Sequence, residues 1–360
     1  MLKRVNLVLA TVVAFSAFTP RLAAQLPTIP PVQNQPQAGQ NQPPAQGQSS
    51  STDAQQQPTE TLKVNVNVVS VFFNVKDKHG TLVPNLTKDD FTIAEDGKPQ
   101  TIKYFTAESN LPLTLGMMID ASGSQRNVLD MEKEVGGAFL KQVLTDKDEA
   151  YVISFDVDVD LVQDYTRDVH RLQAALNKVK LNTGFVTGPM PGSGGGPVPS
   201  STQNRGTLLY DAVYLSSHDM LAKEVGRKAM ILLTDGQDEG SRLKIKDAIE
   251  AAQKADAIVY VLLCADRGFY GSFGVGYSGV GEMQKLTEAT GGRVINVGNK
   301  FDKLRDAFDQ IAQELRSQYN IGYTPANPKQ DGSYRKLEIK NKQGHKIQAR
   351  AGYYAGKGAD

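Results

Sequence analysis

Five oxygen-bearing side chains, on three separated stretches of this 360-residue chain, have the chemistry to hold a hard cation together. Asp120, Ser122 and Ser124 stand in the phrase Asp120-Ala121-Ser122-Gly123-Ser124, directly after the apolar run Leu113 to Ile119. Thr207 follows Gly206, and Asp235 closes the run Ile231-Leu232-Leu233-Thr234 just before Gly236. Two carboxylates and three hydroxyls are the donors Mg²⁺ takes, in an octahedron of oxygens that keeps some waters. The set contains neither Cys nor His, so the pattern does not point to zinc or copper.

Such residues act together only if the fold brings three loops to one place. The middle of the chain alternates strand and helix signals. Strands are expected near 112–120, 149–155, 157–164, 228–234, 257–264 and 293–297. Helices are expected near 125–143, 168–179, 207–223, 243–255, 280–290 and 302–317. The runs Met230 to Leu233 and Ile258 to Leu263 are continuously apolar, as strands covered on both faces are. The alternation predicts a doubly wound, mostly parallel α/β sheet with helices on both faces. The pair near 149–164 reads as a hairpin whose second strand is antiparallel at an edge. Ligands of such sheets sit at the carboxyl ends of strands, where the strand order reverses. Asp120 ends the first strand and Asp235 the fourth, which neighbour each other across that point in the common order. Ser122 and Ser124 fall on the turn into the first helix. Thr207 opens another helix, where a hydroxyl can also cap.

With the three pieces in this order, the sequence resembles the von Willebrand factor A domain and its metal-ion-dependent adhesion site. The resemblance covers Leu111 to Ser317. The flanks resemble a bacterial secreted group of A-domain-related proteins, through Asn85-Leu86-Thr87-Lys88-Asp89-Asp90-Phe91, Glu95-Asp96-Gly97 and the ending Ala351-Gly352-Tyr353-Tyr354. The resemblance implies a Rossmann-like A domain binding Mg²⁺ or Mn²⁺. Ser122, Ser124 and, in the ligand-bound state, Thr207 would contact the ion directly. Asp120 and Asp235 would act through water and hydroxyl hydrogen bonds. An Asp or Glu from a partner protein would take the open position, giving binding or adhesion rather than catalysis. Asp211 also fits, either supporting the site from behind or as a solvated helix residue.

The ends read differently. Residues 1–24 carry Lys3 and Arg4, a short apolar run and Leu22-Ala23-Ala24, the pattern of a secretory signal. That predicts a periplasmic, cell-surface or extracellular protein, held at a membrane only if the segment stays uncleaved. Its removal takes away Lys3, Arg4 and Arg21 and no acid. The formal net charge then moves from 40 basic against 39 acidic residues to 37 against 39. With near-zero net charge, nothing in the sequence argues for a nucleic-acid footprint. Residues 25–60 are rich in Gln, Pro and Ser and read as a flexible linker. Residues 61–108 and 319–356 read as strands: Val64, Val66 and Val68 alternate, and Val69, Val71, Phe73 and Val75 alternate on the other phase, a slip that suggests a bulge. Neither flank has enough strands to stand alone, so the two are expected to form one small β-sandwich with the A domain, 109–318, inserted between them.

Other signals are weaker. The single cysteine, Cys264, reads as a buried small hydrophobe. Gly274-Val275-Gly276-Tyr277-Ser278-Gly279 matches a dinucleotide motif but does not make the immediate strand-to-helix turn. Asp156, Asp158 and Asp160 lack the glycine and glutamate of a calcium loop and read as a solvated strand face. The stretch 182–205, with three successive glycines, is long for a compact domain and borders Thr207. Two other functions compete with binding: a structural envelope protein whose metal only stabilises the fold, and a metal-dependent hydrolase with Asp238 as the nearest base.

Overall fold

A computed structural model of the chain describes residues 68–108, 111–182, 206–265 and 279–356. The signal and linker segments, the Val64–Val66 alternation, residues 183–205 and five of the six residues of the glycine motif lie outside these. Among the described residues, no helix is long and apolar enough to cross a membrane.

The flanks supply β1 (Val69–Lys76), β2 (Phe91–Glu95), β3 (Lys98–Gln100) and β4 (Ile102–Glu108) on one side. On the other side they supply β11 (Gln318–Tyr323), β12 (Tyr334–Asn341), β13 (Lys346–Ala349) and β14 (Gly352–Tyr354). These build two four-stranded sheets, ordered β13-β1-β11-β4 and β14-β12-β2-β3. Each sheet draws on both flanks, because β1 and β4 pair with β11 and β2 pairs with β12. The alternating Val71, Phe73 and Val75 face a core shared with Phe91, Ile93, Tyr319, Ile321 and Leu337. Asp96 and Gly97, both at positive φ (48° and 76°), make the tight turn between β2 and β3. The sandwich expected from the flanks is the one observed.

The chain leaves the sandwich at the end of β4 and returns at the start of β11, where Gln318 pairs with Glu108. Exit and return are therefore adjacent, which is the geometry an inserted domain needs. Between them lie β5 (Leu113–Asp120), β6 (Glu149–Phe155), β7 (Val159–Thr166), β8 (Arg227–Thr234), β9 (Ala257–Leu263) and β10 (Val294–Asn296). They form one six-stranded sheet, ordered β10-β9-β8-β5-β6-β7, with β7 antiparallel at the edge. All eight residues of β5 are buried, as its uninterrupted apolar run requires. Helices α1 (Leu129–Val143), α2 (Val169–Lys178) and α6 (Phe301–Arg316) cover one face. Helices α3 (Leu209–Leu215), α4 (Ile245–Lys254) and α5 (Val280–Thr290) cover the other. This is the doubly wound, mostly parallel α/β fold expected from the sequence, inserted in a small β-sandwich.

Two helices differ from the expected spans. The segment expected from 125 opens as a 3₁₀ turn, Gly123–Gln125, and becomes α-helical only at Leu129. The segment expected over 207–223 is α-helical only through Leu215, then widens into a π turn, Ser216–Met220, and closes as 3₁₀. Ser217 Oγ donates to Val213 O at 2.7 Å, and Ser216 Oγ bonds Tyr151 Oη at 2.6 Å. Hydroxyls bonding back onto a helix compete with its ladder, and π turns arise at such interruptions.

Candidate functional site

Strands β5 and β8 lie side by side and parallel, with Ile119 opposite Leu233. Their carboxyl ends therefore deliver Asp120 and Asp235 to one place, both buried. Asp120 is tied at both oxygens. Its Oδ1 accepts the Ser122 N–H at 2.9 Å, and its Oδ2 accepts the Thr234 hydroxyl at 2.7 Å. Gly236 N–H in turn donates to Thr234 Oγ1 at 3.0 Å, so one threonine links the two strand ends. Asp235 Oδ1 accepts the Gln237 N–H at 3.0 Å. Ser122 Oγ and Ser124 Oγ stand 3.0 Å apart on the turn that follows β5.

Thr207 is buried and held by its backbone: it exchanges two N–H···O bonds with Glu239, at 2.9 and 3.0 Å. It is thus pinned to the same loop that carries Asp235. Asp211 accepts N–H bonds from Arg242 and Leu243, both at 3.0 Å, and fastens α3 to that loop. Asp238 is also committed, accepting the Tyr210 N–H at 3.0 Å and the Ser241 hydroxyl at 2.5 Å. Asp156 and Asp158 sit in the β6–β7 turn, each bonding to the other's segment, and only Asp160 lies on the strand. That corrects the strand-face expectation for the first two.

Electrostatics set this site apart. Burial pushes the Asp120 carboxyl up to about 7, with the nearby charge of Asp235 adding to it and the bonds from Ser122 and Thr234 opposing. Behind it, Glu132 of α1 is completely buried, and among the described residues its oxygens have no hydrogen-bond donor beyond the adjoining Cys264 thiol. Burial pushes Glu132 up to about 8; the adjoining Cys264 thiol opposes the rise, while Asp120 and Asp235 add to it. Cys264 is buried, as expected, and its thiol is raised by the same burial and by Glu132. Glu132, Thr234 and Gln125 were not anticipated from the sequence. The signal for Glu132 was present: with Leu129, Val135, Gly136 and Phe139 it falls on the buried face of α1. Gln125 lies beside the site with its side-chain amide 3.2 Å from both Cys264 O and Asp235 N, an orientation that satisfies both.

Gly279 opens the way into α5 directly against the Asp235 loop. A Cβ there would overlap the Gly236 carbonyl, which is backbone and cannot rotate aside, and Gly236 itself holds φ at +80°. We expect Gly279→Ala to shift this loop and lower the affinity for a divalent cation held at it by about tenfold or more, the size of effect seen when groups behind a metal site are changed. Calorimetric titration checks it, with circular dichroism confirming the fold. An unchanged affinity would mean that the Asp235 loop does not depend on this contact.

Among the described residues, no three His, Cys, Asp or Glu converge as a ligand group. A cation here would rest on hydroxyls and water as much as on charge.

No protein-family model matches the sequence, and no curated protein matches it significantly. Comparison with solved structures finds similar folds at low identity. The conserved hypothetical protein BatB from Bacteroides thetaiotaomicron is 17% identical over 57% of this chain and 100% of its own, with a TM-score of 0.40. The von Willebrand factor domain of the type V pilus tip protein Mfa5 from Porphyromonas gingivalis is 13% identical, covering 56% of this chain and 94% of its own at a TM-score of 0.41. Proximal thread matrix protein 1 of the mussel byssus, in a structure with zinc in its adhesion motif, is 16% identical. That match covers 62% of this chain and 50% of the other at a TM-score of 0.43.

Proposed function

We propose that this chain is an exported, non-enzymatic binding module whose A domain, 109–318, captures an acidic side chain of a partner protein through Mg²⁺ or Mn²⁺. Ser122, Ser124 and Thr207 hold the ion through their hydroxyls, and Asp120 and Asp235 neutralise it from behind. One observation carries the reading: parallel β5 and β8 bring the buried carboxylates of Asp120 and Asp235 together beside the hydroxyls of Ser122 and Ser124, which are hydrogen-bonded to each other at 3.0 Å. Asp120 supports the same reading, because a carboxylate already bonded at both oxygens serves better as an orienting group than as a direct ligand. Hydroxyl ligands leave most of the ion's charge unneutralised, and that charge attracts an incoming carboxylate. In the hydrolase alternative the nearest base is Asp238, whose Oδ1 is held by the Tyr210 N–H and the Ser241 hydroxyl. General-base work requires reach to the attacking water.

The test is a Mg²⁺ and Mn²⁺ titration of metal-stripped protein, followed by peptides carrying a single Asp or Glu. We expect about one ion per chain, peptide binding only in its presence, and loss of both in Asp120→Ala with the fold retained. Asn or Gln peptides should not bind. If Asp120→Ala lowered the melting temperature while an acidic peptide still bound, the metal would be structural and the proposal would fail.

A further inference from the structure

The second feature lies at the opposite end of the A-domain sheet from Asp120 and Asp235. The loop after β1, the lead into β10, α6 and β13 wall a cleft of about 1050 Å³. Its floor is the carboxylate of Glu314, which is buried. Lys76 Nζ and Arg293 Nε both reach Glu314 Oε1 at 2.8 Å, and Gln348 Nε2 reaches Oε2 at 3.1 Å. One buried carboxylate thus holds two cations. Lys78 and Lys346 line the same cleft, exposed, and form no ion pair among the described residues. Lys346 is close enough to repel Lys76.

The opposing charges are fewer and differently disposed. Asp77 turns its carboxylate into its own loop, accepting the His79 and Thr81 N–H groups at 2.8 and 2.9 Å. Glu288 is exposed on α5, and His79 is exposed on the β1 loop. The rest of the lining is amide and hydroxyl, from Gln284, Gln310, Gln313 and Thr287, with Leu82, Val294 and Ile347 as the larger apolar side chains and no Phe, Tyr or Trp. A cleft without Phe, Tyr or Trp and without extended apolar walls offers little to a planar or greasy ligand, since apolar contact is what usually supplies affinity in such sites. Amides offer paired donors and acceptors, which suit hydroxyls, and unpaired ammonium groups suit acidic oxygens.

We infer that this cleft binds a small hydroxylated anion of the sugar-acid or sugar-phosphate class, its acid group on Lys78 and Lys346 and its hydroxyls on the glutamine amides. Lys76 and Arg293 stay on Glu314 and provide the positive floor beneath it. The inference is independent of the metal reading, because no residue is shared.

The probes are glucuronate, glucose 6-phosphate, glucose and inorganic phosphate, titrated into the full chain by calorimetry. Wild type and Asp120→Ala are both used, so that an anion held at the metal loops is distinguished. We expect one site per chain for glucuronate or glucose 6-phosphate, and whichever binds tells carboxylate from phosphate. Glucose and phosphate should bind at least tenfold more weakly. The double variant Lys78→Glu, Lys346→Glu should lose the site by tenfold or more with an unchanged melting temperature, and Asp120→Ala should keep it. The inference is overturned if neither acidic sugar binds at millimolar concentration, if glucose or phosphate alone binds as tightly, if the double variant binds like wild type, or if Asp120→Ala abolishes binding.

Discussion

Replacing Glu132 by Gln is expected to stabilise the metal-free protein at pH 9 relative to pH 5, by roughly 3–5 kcal/mol for an acid held near 8 against an unfolded value near 4.5. Glu132 is fully buried, and among the described residues only the Cys264 thiol bonds its oxygens. A buried carboxylate held only by a weak thiol donor is costly, so the folded state keeps its proton. The sign follows from linkage. The folded chain holds that proton where the unfolded chain has lost it, so stability falls as pH rises between about 4.5 and about 8. The contribution is fully present below the unfolded value and is gone above the folded one. Asp120, pushed up to about 7, adds a slope of the same sign. Gln cannot ionise, so the variant removes the Glu132 part of the slope. Any cost of burying its amide is the same at both pH values and cancels in the comparison. The measurement is urea unfolding of wild type and Glu132→Gln at pH 5 and pH 9, with metal removed. An identical stability difference at the two pH values would show that Glu132 ionises in the fold without penalty, and the argument would fail.

That Glu132 matters at all illustrates where sequence reading stops. The sheet was legible because β5, β8 and β9 are continuous apolar runs, and only strands covered on both faces look like that. The insertion was legible because neither flank had strands enough to stand alone. The candidate ligand loops were legible because Asp120 and Asp235 each end such a run. The pairing partners were not: β1 lies between β11 and β13, some 240 to 280 positions away in the chain, and nothing local specifies that register. Glu132 was hidden by habit, since an acid in a helix is usually solvated. Its place on the Leu129–Phe139 stripe was the contrary signal. Thr234 was read as the end of a strand, while its hydroxyl is what holds Asp120. The Glu314 cluster joins β1, β13 and α6 with the lead into β10, so it exists only in the tertiary structure.

The linkage has a counterpart in metal binding. The proton that burial and Asp235 keep on Asp120 must leave before the carboxylate can serve a cation, because metal sites need deprotonated ligands. With Asp120 held near 7, the affinity for Mg²⁺ should be level above pH 8. Below about 7 it should fall by about tenfold per unit, as displacement of one proton requires. A difference of roughly thirtyfold between pH 7.5 and pH 5.5 follows from that slope. Calorimetry in buffers of different ionisation enthalpy should register about one proton released per ion at pH 6. Thr234 gives a second handle. Its hydroxyl bond to Oδ2 favours the charged form, so Thr234→Val should push the Asp120 carboxyl further up and move the break in affinity to higher pH. A pH-independent affinity from 5.5 to 8.5 would mean that Asp120 is already ionised in the metal-free fold. A break that stays put in Thr234→Val would assign the titration to another group. The physical point is that the same burial that makes Asp120 an orienting group also makes the site sensitive to pH near neutrality. Binding of an acidic partner through the ion would weaken in acid for that reason, before the partner's own carboxylate takes up a proton near 4.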